Sequence, residues 1–212
     1  MNRPSHLNSL AAAALFAVGI TPAFAGSGAK EIAVVPTPAP EVECLSYDFI
    51  DLQYIYTSFD SMADGHGAGV NFSKGIAGNV YFTGSADWSS SSIDHADVDL
   101  YGATAGLGYA IPVSKRFHLN IEAGGIYSQF DGPYGYDDEE WGGYVGPGFR
   151  YCLSPGMELF ANVYYVLFEG GEDLFETNVG IVANITETVA FKVAGLLSED
   201  DQSVMAGLRF YY

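Results

Sequence analysis

The chain has 212 residues, a length that suits one domain with a sizeable core. Its 26 Asp and Glu residues outnumber its 8 Lys and Arg residues, and the formal net charge of -18 argues against nucleic acid as a partner. The 15 Tyr and 14 Phe residues are many for an acidic soluble protein.

The first 44 residues are predicted to lie outside the folded domain. Arg3, the apolar run "LAAAALFAVGI" and the small-residue pattern of "AFA" predict a cleaved signal peptide over residues 1–25. The run is too short to cross a bilayer as a helix. Residues 26–44 are rich in Pro, Gly and Ala, which predicts an extended periplasmic linker. The domain itself is predicted to occupy residues 45–212.

From Cys44 onward, apolar and polar residues alternate with a period of two. In "FHLNIEAGGIY", Phe117, Leu119 and Ile121 alternate with the polar His118 and Asn120. This period is typical of strands with one apolar and one polar face. The pattern predicts ten strands, near 45–57, 66–74, 79–89, 97–111, 116–130, 141–152, 157–169, 174–185, 188–198 and 202–212.

The polar faces distinguish a membrane barrel from a soluble sandwich. A sandwich would not bury charges such as Glu122, Arg150 and Lys192 in mid-strand without special partners. A membrane barrel points its apolar face to lipid and its polar face to the lumen. We therefore predict an all-β, transmembrane, antiparallel up-and-down β-barrel of ten strands, with eight strands as the alternative.

The connections between predicted strands fall into two alternating sets. One set is short and contains "KGIAG", "IPVSKR", "LSPGM" and "TET". The other is longer or acidic, lacks Lys and Arg, and contains "DSMADGHG", "SSSSIDHADVD", "DGPYGYDDEE", "EGGED" and "SEDDQ". Short periplasmic turns and longer extracellular loops are typical of outer-membrane barrels.

The C-terminal strand carries a further signal. In "VMAGLRFYY", Leu208, Phe210 and Tyr212 lie on one strand face, and Tyr212 is the last residue. The chain here resembles bacterial outer-membrane β-barrel proteins, whose terminal aromatic strand is read by the barrel-assembly machinery. The phrases "CLSYDFIDLQYIYTSFD", "GAGVNFSKGIAGNVYFTGSADW" and "VAGLLSEDDQSVMAGLRFYY" resemble the small, about ten-stranded barrels of the diffusible-signal-regulon type.

This resemblance implies an outer-membrane location, with lipid and lipopolysaccharide around the barrel and the assembly machinery as a partner in biogenesis. The family has no agreed catalytic residues to carry over, and we expect a monomer. The chain is therefore expected to be a non-enzymatic barrel that contributes to the envelope or binds through acidic loops. The alternative is a small cation-selective channel.

The predicted lumen is narrow and charged. Ten strands about 4.8 Å apart and tilted by about 40° give a backbone radius of about 10 Å, so inward side chains fill most of it. We expect ion pairs to plug it, with a narrow cation-preferring passage as the alternative. The predicted inward residues are Asp51, Gln53, His118, Asn120, Glu122, Tyr144, Arg150, Glu176, Asn178, Lys192 and Arg209.

The acidic loops suggest two weaker hypotheses. Asp137, Asp138, Glu139 and Glu140 form a run that can bind Ca²⁺ or Mg²⁺ weakly, although a solvated acidic surface is the simpler interpretation. No other cofactor is expected. A rim-located hydrolase is disfavoured because the loops are too small for a cleft; its candidate residues are Asp64, His66, Asp94, His95 and Asp97.

The two cysteines lie far apart in the predicted topology. Cys44 precedes the first strand and Cys152 closes the sixth, on the opposite side of the barrel. A disulfide needs Cα atoms within about 7 Å. Six residues before Ile50 can span about 20 Å, so a bridge across the periplasmic mouth can form. Two separate thiols remain the favoured interpretation.

Overall fold

The computed structural model describes residues 45–59, 63–93, 96–132, 137–198 and 201–212. The predicted signal peptide and linker lie outside these ranges. No helix in the described part of the chain is long and apolar enough to span a membrane. The strands are β1 (Phe49–Phe59), β2 (Gly65–Ala77), β3 (Val80–Ile93), β4 (Ala96–Ser114), β5 (Phe117–Asp131), β6 (Asp137–Ser154), β7 (Met157–Phe168), β8 (Asp173–Asn184), β9 (Val189–Leu197) and β10 (Asp201–Tyr211).

The ten strands form one closed antiparallel barrel. Each strand pairs with its neighbours in sequence, and β1 pairs with β10 to close the sheet. In that closing pair Asp51 lies opposite Arg209, and Phe49 lies opposite Tyr211. The predicted ten-stranded up-and-down barrel is confirmed, since every strand edge is paired.

The two ends of the barrel differ in their connections. We call the end where β1 begins and β10 ends the termini end; its turns are residues 78–79, 115–116, 155–156 and 185–188. The opposite end, the loop end, has the connections 60–64, 94–95, 132–136, 169–172 and 198–200. Four of these five are longer than the two-residue turns at the other end, but all are short.

Two segments predicted as loops are strand instead. The run Asp137–Glu140 begins β6, and most of "SSSSIDHADVD" extends β3 and β4. These strand extensions could not be predicted, because polar residues occupy both strand faces there and interrupt the alternation of apolar and polar residues. The hairpin ladder nevertheless continues through them, with Ser90 opposite Asp99 and Gln129 opposite Glu139.

Alternation places apolar side chains outside and polar side chains inside. On β1, Leu52 and Tyr54 are exposed, whereas Asp51 and Gln53 are buried. The apolar part of the interior is small and lies on one side of the lumen. It consists of Ile55, Phe160, Val182, Ala190, Ala194 and Met205.

Candidate functional site

Five charged side chains meet inside the barrel near the termini end. Asp51 accepts hydrogen bonds from Arg209 Nε at 2.7 Å and from Lys192 Nζ at 2.7 Å. Glu158 accepts a hydrogen bond from Arg150 Nη2 at 2.7 Å, and Arg209 Nη1 lies 3.9 Å from its Oε2. We call Asp51, Arg150, Glu158, Lys192 and Arg209 the ion-pair layer. Its members are only 1% to 7% exposed, so the layer is dry.

Aromatic rings pack against the cations of this layer. The guanidinium of Arg209 lies 3.6 Å from the centre of the Phe49 ring, and that of Arg150 lies 4.5 Å from the centre of the Tyr47 ring. Lys192 Nζ lies 5.6 Å from the centre of the Phe160 ring. Such contacts are strongest where water is excluded, and they fill the space that a pore would need.

The segment before β1 crosses the termini end of the barrel. Tyr47 packs against Tyr81 on β3, with ring centres 4.5 Å apart, and stacks on His118 of β5 at 6.0 Å. The carbonyl oxygen of Ser46 accepts a hydrogen bond from Arg150 Nη1 on β6 at 2.7 Å. Residues 45–48 therefore cover the side of the mouth that the ion-pair layer leaves open.

Cys152 contradicts the favoured interpretation of two separate thiols. It is disulfide-bonded and buried at the end of β6, two residues after Arg150. Cys44 is the other cysteine of the sequence, and it lies outside the described residues. The route of Tyr47 towards β5 and β6 could not be predicted from the sequence, because it leaves no periodic signal.

A second cluster lies on the loop-end side of the ion-pair layer and joins three strands. Glu122 on β5 accepts hydrogen bonds from the hydroxyls of Tyr81 and Tyr164, each at 2.6 Å. These tyrosines reach it across β4 and β6, where the facing residues are Gly108 and Gly146. A Cβ atom on Gly108 would lie 2.1 Å from the Tyr81 ring, and one on Gly146 would lie 2.0 Å from the Val163 carbonyl oxygen.

Gly108 on β4 and Gly146 on β6 therefore leave the space in which side chains from non-adjacent strands meet. We call Tyr81, Glu122 and Tyr164 the tyrosine–glutamate belt. Each carboxylate oxygen of Glu122 has a hydroxyl partner, so this charge is stabilised by hydrogen bonds rather than by a cation.

The lumen holds a cavity of about 480 Å³, whose lining extends from Tyr47 and Phe49 at the termini end, past the ion-pair layer, to Asp201 at the loop end. Besides the ion-pair layer, its lining carries four carboxylates, on Asp87, Glu122, Glu176 and Asp201, and no Lys or Arg among the residues described. Asp87 is solvent-accessible although it points into the barrel. We call these four residues the acidic lumen.

The inward residues predicted from sequence separate into these regions. Asp51, Arg150, Lys192 and Arg209 belong to the ion-pair layer. Gln53 accepts a hydrogen bond from Lys192 at 3.3 Å. The other predicted inward residues lie closer to the loop end or at the mouth of the termini end. Asn120, Tyr144 and Asn178 line the cavity with Glu122 and Glu176, and His118 stacks on Tyr47.

Sequence reasoning missed five residues of the site, one of which, Asp201, lies in the predicted loop "SEDDQ". Glu158 is the second residue of β7, and the apolar run Leu159–Ala161 after it interrupts the alternation. Asp87 lies in "TGSADWSSSS", where small and polar residues weaken the alternation. Tyr81 and Tyr164 resemble lipid-facing aromatics. The signal that could have found them is the two-residue alternation. Tyr81 and Asp87 lie on the same face of β3 as the polar Thr83 and Ser85, and Tyr164 lies on the same face of β7 as Asn162.

The remaining predicted sites lie on the outer surface or at the rim. Leu208 and Phe210 face outward on β10, and Tyr212 follows them with its hydroxyl donating to the Ser73 carbonyl oxygen at 3.0 Å. Asp137 and Glu139 are exposed near the loop end. Across the described ranges, no three His, Cys, Asp or Glu side chains group as a metal site, so cation binding by Asp137–Glu140 stays a prediction.

Solved structures with a similar fold are outer-membrane barrels of low sequence identity. The NanC porin is 10% identical with a TM-score of 0.50, over 77% of this chain and 100% of its own. The NalP translocator domain from Neisseria meningitidis is 11% identical with a TM-score of 0.48, over 77% and 88%. OprG from Pseudomonas aeruginosa is 15% identical with a TM-score of 0.44, over 77% and 94%.

At these identities the likeness concerns the fold alone. No curated protein is significantly similar to the chain. The family model described as "Protein of unknown function, DUF481" matches residues 50–204, which is most of the barrel. The chain therefore belongs to this DUF481 family.

Proposed function

We propose that the chain is a monomeric, non-enzymatic outer-membrane β-barrel whose lumen is closed at the periplasmic end. In this proposal the termini end faces the periplasm, and the acidic loop end faces outward among the lipopolysaccharide. The barrel contributes to the envelope and presents a binding cavity to the outside. The dry ion-pair layer is the observation that carries this proposal.

The outer wall supports membrane insertion. Exposed apolar side chains cover the strands, among them Leu107, Ile121 and Val193. Aromatic residues flank this band: Trp141 and Tyr151 are both exposed and lie ten residues apart on β6. At about 3.3 Å per residue and a tilt of about 40°, they are about 25 Å apart along the barrel axis, the height of an outer-membrane apolar band.

The ion-pair layer argues against a permanently open channel. Ions cross a pore through water, so the side chains at its narrowest point must be wetted. Here five charged side chains from β1, β6, β7, β9 and β10 are almost wholly buried against one another. Residues 45–48 cover the remaining part of the mouth, so no wetted ring is left at this level.

The acidic lumen favours a second candidate, a gated cation-selective channel. Four carboxylates without a neighbouring cation would concentrate positive ions in the cavity. Conduction would then need the ion-pair layer to open. This candidate differs from the first only in whether the layer moves.

Single-channel recording in planar bilayers separates the two. We expect the purified wild-type barrel to show no steady conductance. The double variant Arg150→Ala with Glu158→Ala removes one buried pair without leaving an unpaired charge, and we expect it to conduct with K⁺ favoured over Cl⁻. Lys74→Ala, an exposed cation at the termini end, is the control that should stay silent. Steady wild-type conductance would overturn the closed barrel and favour the channel.

A further inference from the structure

The acidic lumen contains carboxylates that the fold does not use. Asp87 and Glu176 line the cavity, and neither makes a hydrogen bond or ion pair with any residue that the structure describes. By contrast, every carboxylate of the ion-pair layer has a cation partner. Anions enclosed by a barrel wall without a counter-charge attract a cation from solution.

Unpartnered hydrogen-bond acceptors in the same cavity point the same way. Asn120 is only 4% exposed and lines the cavity, yet its Oδ1 has no partner. Its Nδ2 is already committed to Asn162 Oδ1 at 2.9 Å. Asn178 Oδ1 also lacks a partner and lies on β8, two residues from Glu176. Buried acceptors of this kind are normally satisfied by an N–H or O–H donor, which a bound ligand can supply.

The arrangement of the carboxylates argues against a metal ion. Ca²⁺ and Mg²⁺ need several oxygen ligands around one point. Among the described residues no three acidic or His side chains are grouped closely enough to hold one. The carboxylates are instead spread over β3, β5, β8 and β10, from the tyrosine–glutamate belt to Asp201 at the loop end. An extended ligand with several separated charges matches this spread.

We propose that the cavity binds a linear aliphatic polyamine, with ammonium groups beside Asp87 and Glu176. An ammonium group offers three N–H donors, which can serve a carboxylate and an unpartnered amide oxygen together. The rings of Tyr144 and Tyr164, whose centres are 5.4 Å apart in an edge arrangement, line the same space. Their faces favour cationic and methylene groups. The proposal goes beyond barrel closure, because it concerns the part of the cavity between the ion-pair layer and the loop end.

The test is calorimetric titration of the purified full-length barrel with spermidine, in a non-ionic detergent at low ionic strength. We expect saturable binding with one site per barrel. Asp87→Asn with Glu176→Gln should weaken it at least tenfold, and folding is safe because neither side chain has a partner to lose. Heat-modifiable migration on gels verifies folding of each variant.

Two comparisons separate the cavity from general charge attraction. Asp137→Asn with Glu139→Gln removes the same charge from the outer face near the loop end, and it should change the affinity less than twofold. Asn120→Ala keeps the net charge but removes an unpartnered acceptor, and it should weaken binding several-fold.

Three results would overturn the proposal. The first is the absence of saturable heat with the wild-type barrel. The second is an equal loss of affinity in the outer-face control, which would leave only a charged surface. The third would indicate a metal site and has two parts. MgCl₂ would displace spermidine more effectively than NaCl of equal ionic strength, and Mg²⁺ alone would bind the barrel more tightly than spermidine does.

Discussion

The ion-pair layer and the acidic lumen occupy one barrel, yet they treat charge in opposite ways. In the layer, three cations and two carboxylates are packed dry, and each charge has a partner within 3.0 Å. In the acidic lumen, Asp87 and Glu176 have no partner among the described residues, and Asp87 is accessible to solvent.

Polar side chains in the lumen of one barrel can therefore have different roles. Paired charges at this depth hold strands together and exclude water, whereas unpaired carboxylates leave room for a ligand. Glu122 is intermediate between the two cases, because it has no cation partner but accepts hydrogen bonds from two tyrosine hydroxyls. Substitutions that act on only one region can therefore test the comparison.

The largest expected effect comes from breaking the seam that carries the layer. Deletion of Phe210–Tyr212 removes the pairs with Ile50 and Phe49 beside the Asp51–Arg209 pair. We expect the folded, heat-modifiable barrel in outer-membrane fractions to fall at least tenfold. Tyr212→Phe keeps the aromatic terminus and should assemble normally. Normal levels of the truncated barrel would contradict this account of the seam.

The same substitution in the two regions should have different outcomes. Asp51→Asn leaves Lys192 and Arg209 buried without their carboxylate, and we expect a loss of about 3–5 kcal/mol in the free energy of unfolding. Asp87→Asn removes a charge without a partner and should change it by about 0.5 kcal/mol at most. Urea unfolding in lipid vesicles measures both. Equal effects would remove the distinction between the regions.

The tyrosine–glutamate belt can be tested through its glycines. In Gly146→Ala the new methyl would collide with the Val163 carbonyl and crowd Tyr164, so we expect a loss of about 1–3 kcal/mol. Gly143→Ala on the same strand is the control, because its nearest neighbour would be 3.5 Å away. A tolerated Gly146→Ala would mean that the belt does not depend on this close approach.

The smallest expected effect comes from an exposed ion pair, Lys74 with Asp48, which has the same charged groups as the buried Lys192–Asp51 pair. Asp48 at the termini end accepts hydrogen bonds from the Gly75 backbone N–H at 2.7 Å and from Lys74 at 3.1 Å, and these lower its pKa. Because the folded pKa is below the unfolded one, the pair stabilises the barrel near neutral pH. This contribution is lost as the pH falls through the folded pKa.

Exposure keeps the Lys74–Asp48 pair weak, and we expect a coupling below about 1 kcal/mol. A double-mutant cycle of Lys74→Ala and Asp48→Ala at pH 7 measures it, and the coupling should vanish in buffer well below pH 4. If the coupling energy were as large as the loss of unfolding free energy in Asp51→Asn, burial would not explain why the two ion pairs differ in strength.

The strands and their inward parity could be predicted because alternation is a local signal. Residues such as Arg150, Lys192 and Arg209 stand out as charges in apolar strands. The strand ends could not be predicted where polar residues occupy both faces, as at Asp137–Glu140. Pairing across the lumen was also inaccessible, because contact between Tyr81 and Glu122 depends on the register of three strands and on Gly108.

The central claim is that the ion-pair layer closes a cavity that is open to the outside, and thiol accessibility tests it most directly. Ser85→Cys places a thiol in the cavity wall, and Ser73→Cys places one in the same wall at the termini end, beside Phe49, where Ser73 is only 3% exposed. Charged methanethiosulfonate reagents are added to intact cells. We predict rapid modification at position 85, faster with the cationic than with the anionic reagent, and protection at position 73 until the barrel is unfolded. Equal modification at both positions would contradict a closed lumen.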